Sequence, residues 1–117
     1  MIRVLVVDDD PAILELMVDY LEGRGNIEAT TASNGQEALR KINLGNPPDV
    51  IITDQEMPKM IGTELLERVK IVLAGTVAVL MSGRGEPANH LADLFLQKPN
   101  LDFDALDSIL AVSASSA

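Results

Sequence analysis

The sequence predicts an α/β protein built on a doubly wound, five-stranded parallel sheet. Three observations carry that prediction. Short apolar runs rich in β-branched residues alternate along the chain with segments of helical periodicity, the pattern of repeated βα units. Those runs are continuously apolar rather than alternating, which suits strands buried on both faces. Each of the runs beginning at 4, 50, 77 and 94 ends close to an Asp, a Ser or a Lys, and the carboxyl ends of parallel strands are where such sheets bind ligands.

Val4 to Val7 is the first strand, stopped by Asp8, Asp9 and Asp10. Asp10-Pro11 then supplies an N-cap and a proline at the first helical position, opening a helix in which Ile13, Leu14, Met17, Val18 and Leu21 recur on one face. Gly23 and Gly25 end it. Ile27 to Ala32 reads as a second, less hydrophobic strand, and Asn34-Gly35 turns into a helix with Ala38, Leu39 and Ile42 inward, stopped by Gly45 and Pro47-Pro48. The third strand, Val50 to Thr53, ends on Asp54. A loop from Gln55 to Ile61 leads to a helix from Gly62 that turns Leu65, Leu66, Val69 and Leu73 inward. Val77 to Met81 is the fourth strand and Leu94 to Leu96 the short fifth, followed by Lys98-Pro99. Asp102 or Asp104 caps a final helix bearing Leu106, Ile109 and Leu110.

Between Ser82 and Leu94 the chain is too short and too rich in Gly and Pro for a full helical crossover, so the fourth helix is expected to be short or absent. One domain, residues 1–112, is expected, with 113–117 a disordered tail. The 117 residues, 47% hydrophobic, suffice for one core and not two. With nine Lys+Arg against eighteen Asp+Glu, the net charge of −9 works against direct nucleic-acid binding, which needs clustered cations. No cysteine is present, which excludes a disulfide framework and a thiolate metal site and fits a reducing, cytoplasmic location. The longest near-apolar run, Ile71 to Met81, is interrupted by Gly75 and Thr76 and falls short of the roughly 18 residues that span a bilayer, so no membrane partner is expected.

At the carboxyl edge of such a sheet, Asp8, Asp9, Asp54, Ser82 and Lys98 make a set suited to a hard cation plus a phosphoryl group. Magnesium takes oxygen ligands octahedrally at about 2.1 Å, commonly one or two carboxylates together with phosphate oxygens. A carboxylate can also attack phosphorus and form an aspartyl phosphate. A metal on one side and a lysine on the other would stabilise the charge on the transferred group, and Ser82 could donate a hydrogen bond to it.

The segments VLVVDDDP (4–11), DVIITDQEMPKMIG (49–62), VLMSG (79–83) and LFLQKP (94–99), in that order and at those strand ends, resemble the receiver domain of two-component response regulators. The resemblance implies a flavodoxin-like sheet of order 2-1-3-4-5 and a phosphoacceptor switch, not a metabolic enzyme. It implies that Asp54 accepts the phosphoryl group from a histidine kinase or phosphotransfer domain. Asp8, Asp9, Asp54 and the backbone carbonyl of Glu56 would hold Mg2+, which Mn2+ could replace. Ser82 would be the switch hydroxyl, Lys98 the phosphoryl partner, Phe95 the aromatic that moves with the switch, and Lys98-Pro99 a cis peptide.

Plainer readings compete at each position. Asp10 is accounted for as an N-cap. Phe95 beside Leu94 and Leu96 could simply be core, and His90, the sole histidine, reads as a solvated loop residue. Glu56 and Arg84 line the rim, where they could hinder or steer an attacking water. Two departures from the family pattern stand out: Ile61 replaces a frequent acidic residue, and the shortened 83–93 region leaves the usual dimerisation face, and so the oligomeric state, open. Asp8-x-Asp10 with a later Ser and Lys also resembles the haloacid-dehalogenase-type phosphatases, with Asp8 as nucleophile, although Asp54 is then unexplained. A non-phosphorylated receiver-like interaction module is the third alternative.

Overall fold

The structure, a computed structural model, describes residues 1–116. Its elements follow the order β1 (Ile2–Val7), α1 (Pro11–Gly23), β2 (Ile27–Ala32), α2 (Gly35–Asn43), β3 (Val50–Asp54), α3 (Gly62–Val72), β4 (Val77–Ser82), β5 (Leu94–Gln97) and α4 (Phe103–Ser116). All strand pairs are parallel and the sheet order is β2-β1-β3-β4-β5, which is the expected flavodoxin-like topology.

Strand side chains alternate between two cores. Val4 and Val6 of β1 and Ile52 of β3 point to the face covered by Met17 and Leu21 of α1 and Leu106 and Leu110 of α4. Leu5, Val7 and Ile51 point to the opposite face, against Ala38 and Ile42 of α2 and Leu65, Leu66 and Val69 of α3. With helices on both faces, successive positions in the middle of a central strand are buried in turn on one side and the other, and this is why the strand runs lack alternation.

Local chemistry sets the helix starts. Asp10 and Asn34 accept from the backbone N–H of Ala12 (2.9 Å) and Glu37 (2.8 Å). Of the two candidates for α4, Asp102 is the cap, taking the Ala105 N–H at 3.0 Å. Helix α3 starts after Ile61, which cannot cap. Gln55 does so from the loop instead, accepting from Thr63 N at 2.8 Å and donating to Thr63 Oγ1 at 3.2 Å. The residue after Asp54 thus ties the end of β3 to the start of α3.

No helix forms between β4 and β5, so the shortened crossover is a loop. Gly85 (φ 99°) and Asn89 (φ 57°) turn it through left-handed backbone. Asp93 anchors its end, accepting from Ala78 N at 2.8 Å and pairing with Lys70 Nζ at 3.2 Å. Residues 113–116, expected as tail, continue α4: Ser113 is buried and its hydroxyl donates to the Ile109 carbonyl at 3.1 Å. Ala117 lies outside the described residues.

At Gly62 the packing leaves no room for a side chain. A Cβ there would stand 2.4 Å from the Asp54 carbonyl oxygen and 2.9 Å from Leu80 Cδ1. Gly62→Ala is therefore expected to destabilise the fold by about 2–3 kcal/mol, read as a lower urea midpoint at unchanged m-value, because the obstacle is backbone that must shift.

Candidate functional site

The carboxyl ends of the three central strands bring the candidate residues together. Asp8 follows β1 and is fully buried, Asp54 ends β3 and is 4% exposed, and Ser82 ends β4, also fully buried. Asp9 stands exposed beside Asp8. Lys98, just past β5 and joined to Pro99 by a cis peptide, reaches back across the edge. Its Nζ lies 2.9 Å from Asp8 Oδ2, as a hydrogen bond, and 3.1 Å from Asp54 Oδ1, as an ion pair.

The two buried carboxylates are held differently. Asp8 has both oxygens engaged, Oδ2 by Lys98 and Oδ1 by the Asp10 N–H at 2.9 Å. Asp54 Oδ1 faces Lys98 outside hydrogen-bond geometry and is a buried oxygen without a hydrogen-bond partner. A buried acceptor left in that state costs free energy, and such groups concentrate at functional sites. One carboxylate oxygen from each of Asp8, Asp9 and Asp54 lies within 4.8 Å of the others. Three hard oxygen donors at one sheet edge, two of them on buried residues, fit a small divalent cation such as Mg2+.

The acids also perturb one another. Burial raises the Asp54 carboxyl above its ordinary value of 3.8, the Asp8 charge raises it further, and the Lys98 ammonium opposes both, with a net upward shift. Burial works against the Lys98 charge, but its hydrogen bond and attraction to Asp8, together with Asp54, outweigh this and raise it. For Asp54, a raised folded value means the native state holds a proton the unfolded chain has already released. Its contribution to stability is therefore fully present below 3.8 and is lost as pH rises through the raised value. Urea midpoints of metal-free protein are expected to fall as pH rises above 3.8 and through the raised value, and Asp54→Asn to remove that fall.

Ser82 is not free. Its hydroxyl donates to the Glu56 carboxylate, 2.8 Å from Oε2 and 3.0 Å from Oε1, and accepts from the Arg84 N–H at 3.0 Å. Glu56 Oε1 also accepts from the Gly83 N–H at 3.3 Å. The Glu56 side chain, expected at the rim, thus turns inward onto the end of β4, while Arg84 is exposed and contributes through its backbone. The sequence gives no sign of this contact beyond the spacing of two after Asp54.

Phe95 is half-buried, paired in register with Leu80 and packed on the α2/α3 side with Ala92. Its ring lies 6.4 Å from that of His90. His90 is more enclosed than a solvated loop residue: its Nδ1 accepts from Ala92 N at 3.1 Å, leaving Nε2 to donate to Glu86 at 2.6 Å. It lies in the β4–β5 loop and makes no contact with the acids at the strand ends. No helix of the described residues is long and apolar enough to cross a membrane.

The chain is 39% identical over 104 residues to a protein-glutamate methylesterase/protein-glutamine glutaminase of Bacillus subtilis, covering 88% of this chain but 29% of that protein. It is 33% identical to a CpxR homolog, a transcriptional regulatory protein of Haemophilus influenzae, covering all of this chain and 52% of that one. The chain thus spans only part of the length of either relative.

Among solved structures, the response regulator protein TrrA of Thermotoga maritima, in complex with Mg2+-BeF, superposes with a TM-score of 0.84 at 34% identity, over 97% of this chain and 99% of that one. A CheY-like receiver domain protein from Methanospirillum hungatei superposes with a TM-score of 0.86 at 30% identity, over 98% and 95%. Residues 4–110 match the response regulator receiver domain family, and the chain belongs to it.

Proposed function

We propose that this domain is a phosphoacceptor switch in which Asp54 takes a phosphoryl group from the phosphohistidine of a kinase or phosphotransfer domain. The observation that carries the reading is the buried Asp54 carboxylate, whose Oδ1 makes no hydrogen bond and has only the Lys98 ion pair, set beside Asp8 and Asp9. An Asp54 carboxylate oxygen forms the new bond to phosphorus as the P–N bond breaks, and the donor imidazole keeps the electron pair and takes up a proton. Lys98 neutralises charge on the phosphoryl oxygens, and Asp8, Asp9, Asp54 and the Glu56 carbonyl would hold Mg2+, or Mn2+ in its place. A bound cation would offset the negative charge that gathers as the phosphoryl group meets three acids.

The dianion on Asp54 then offers the Ser82 hydroxyl a second acceptor, and a two-state equilibrium shifts toward the conformation in which Ser82 turns to it and Phe95 follows. The alternative nucleophile, Asp8, is less well placed, since Lys98 and the Asp10 N–H occupy its oxygens. Incubation with a phosphorylated histidine kinase and Mg2+, followed by peptide mass mapping, tests the reading. One phosphoryl group on the peptide carrying Asp54 is expected; the group on the Asp8 peptide would favour phosphatase-type chemistry, and no uptake would favour a non-phosphorylated module.

A further inference from the structure

We infer that the Glu56 carboxylate is an internal competitor of the phosphoryl group, holding the Ser82 hydroxyl in the unphosphorylated position. This deepens the phosphoacceptor reading and rests on it. A serine hydroxyl has one proton to donate. In this structure that proton is committed to Glu56, with both carboxylate oxygens at 3.0 Å or less, and the hydroxyl's acceptor side is taken by the Arg84 N–H.

The neighbouring Gly83 N–H points to the same carboxylate. Glu56 therefore gathers two donors at the end of β4 onto one anion, which is the charge type that a phosphorylated Asp54 would present to them. Ser82 is fully buried while the contact holds, so Glu56 shields its hydroxyl from water in the resting state. Charge-assisted hydrogen bonds of this kind are among the stronger ones, so their loss opposes the switch.

The like charge of Glu56 also adds to the forces that raise Asp54, so the carboxylate and a phosphoryl dianion on Asp54 repel. Phosphorylation must expel Glu56 from Ser82 and Gly83 before the hydroxyl can turn. Glu56 is thus a positioning residue: it sets the resting equilibrium of the switch without touching the transferred group.

The test is a double-mutant cycle on beryllofluoride binding with saturating Mg2+, followed by fluorine NMR. Glu56→Ala is expected to tighten the apparent affinity by about tenfold or more when Ser82 is present. In the Ser82→Ala background the same change is expected to gain less than about threefold, because the committed proton is gone. Equal gains in both backgrounds would mean that Glu56 acts through its charge alone, which overturns the latch and leaves the phosphoacceptor reading standing. Absence of beryllofluoride binding in every variant, wild type included, overturns both. Glu56→Gln keeps the shape with a weaker acceptor; it gives a smaller gain of the same sign and a shifted Gly83 amide resonance. An unmoved Gly83 resonance in a folded Glu56→Gln protein also overturns the latch.

Discussion

Asp54→Asn is expected to reduce phosphoryl uptake from any donor to background while leaving a folded protein that, without metal, is more stable than wild type. Loss of uptake follows because an amide oxygen is not a competent nucleophile toward phosphorus and no neighbouring acid is positioned to replace it: Asp8 is tied to Lys98 and the Asp10 N–H. The gain in stability follows from the sign of the Asp54 shift. Burial and the Asp8 charge outweigh Lys98, so above the raised value the ionised side chain opposes folding, and a neutral isostere removes that opposition. Mass measurement after incubation with acetyl phosphate and Mg2+ checks the first half. A thermal midpoint raised by a few degrees in metal-free buffer, with loss of most of the stabilisation that Mg2+ gives wild type, checks the second.

Lys98→Ala is expected to have the largest effect on stability. Among the described residues the lysine is the one cation in contact with two buried carboxylates, and truncating it leaves Asp8 and Asp54 facing each other without it. Breaking a buried ion pair by removing one partner costs about 3–5 kcal/mol; since the Lys98 side chain keeps 19% of its exposure, the lower end of that range is expected. Divalent cations should recover more of this loss than they add to wild type, because a metal between the acids replaces part of the missing charge. Urea unfolding with and without Mg2+ measures both effects, and uptake at Asp54 should fall as well, because on the proposed reading Lys98 would neutralise charge on the phosphoryl oxygens. The opposite stability changes expected at Asp54 and Lys98 distinguish a site under electrostatic tension from a satisfied structural ion pair.

Much of the fold was legible because a parallel sheet covered on both faces writes its strands as unbroken apolar runs, and the site was legible because those runs stop on chemistry. Val4 to Val7 running into Asp8, and Val50 to Thr53 into Asp54, placed two acids at one edge before any coordinates. The loss of a helix between β4 and β5 could be read from the length of the segment and its glycines. Side-chain direction in loops was not legible. Glu56 follows β3 by two residues, and whether it meets solvent or Ser82 depends on the path of the 55–61 loop, which Gln55 and the left-handed Lys59 set jointly.

Nor could the sequence show that Lys98 engages Asp8 more closely than Asp54, since that choice follows from the turn past β5. His90 was read as solvated because its local partners, the Ala92 N–H and the Glu86 carboxylate, are brought to it by a loop path that no motif specifies. At the far end, Ser113 looked like the start of a polar tail, yet its hydroxyl donates to the Ile109 carbonyl and α4 continues.

The central claim is that Asp54 is the group that receives the phosphoryl. A crystal structure of the full chain with Mg2+ and beryllofluoride tests it most directly. The beryllium should be bonded to an Asp54 oxygen, with the metal among Asp8, Asp9 and Asp54, Lys98 against the fluorines, and the Ser82 hydroxyl turned away from Glu56 toward them. Beryllofluoride on Asp8, or a metal site filled while Asp54 stays unmodified, would contradict it.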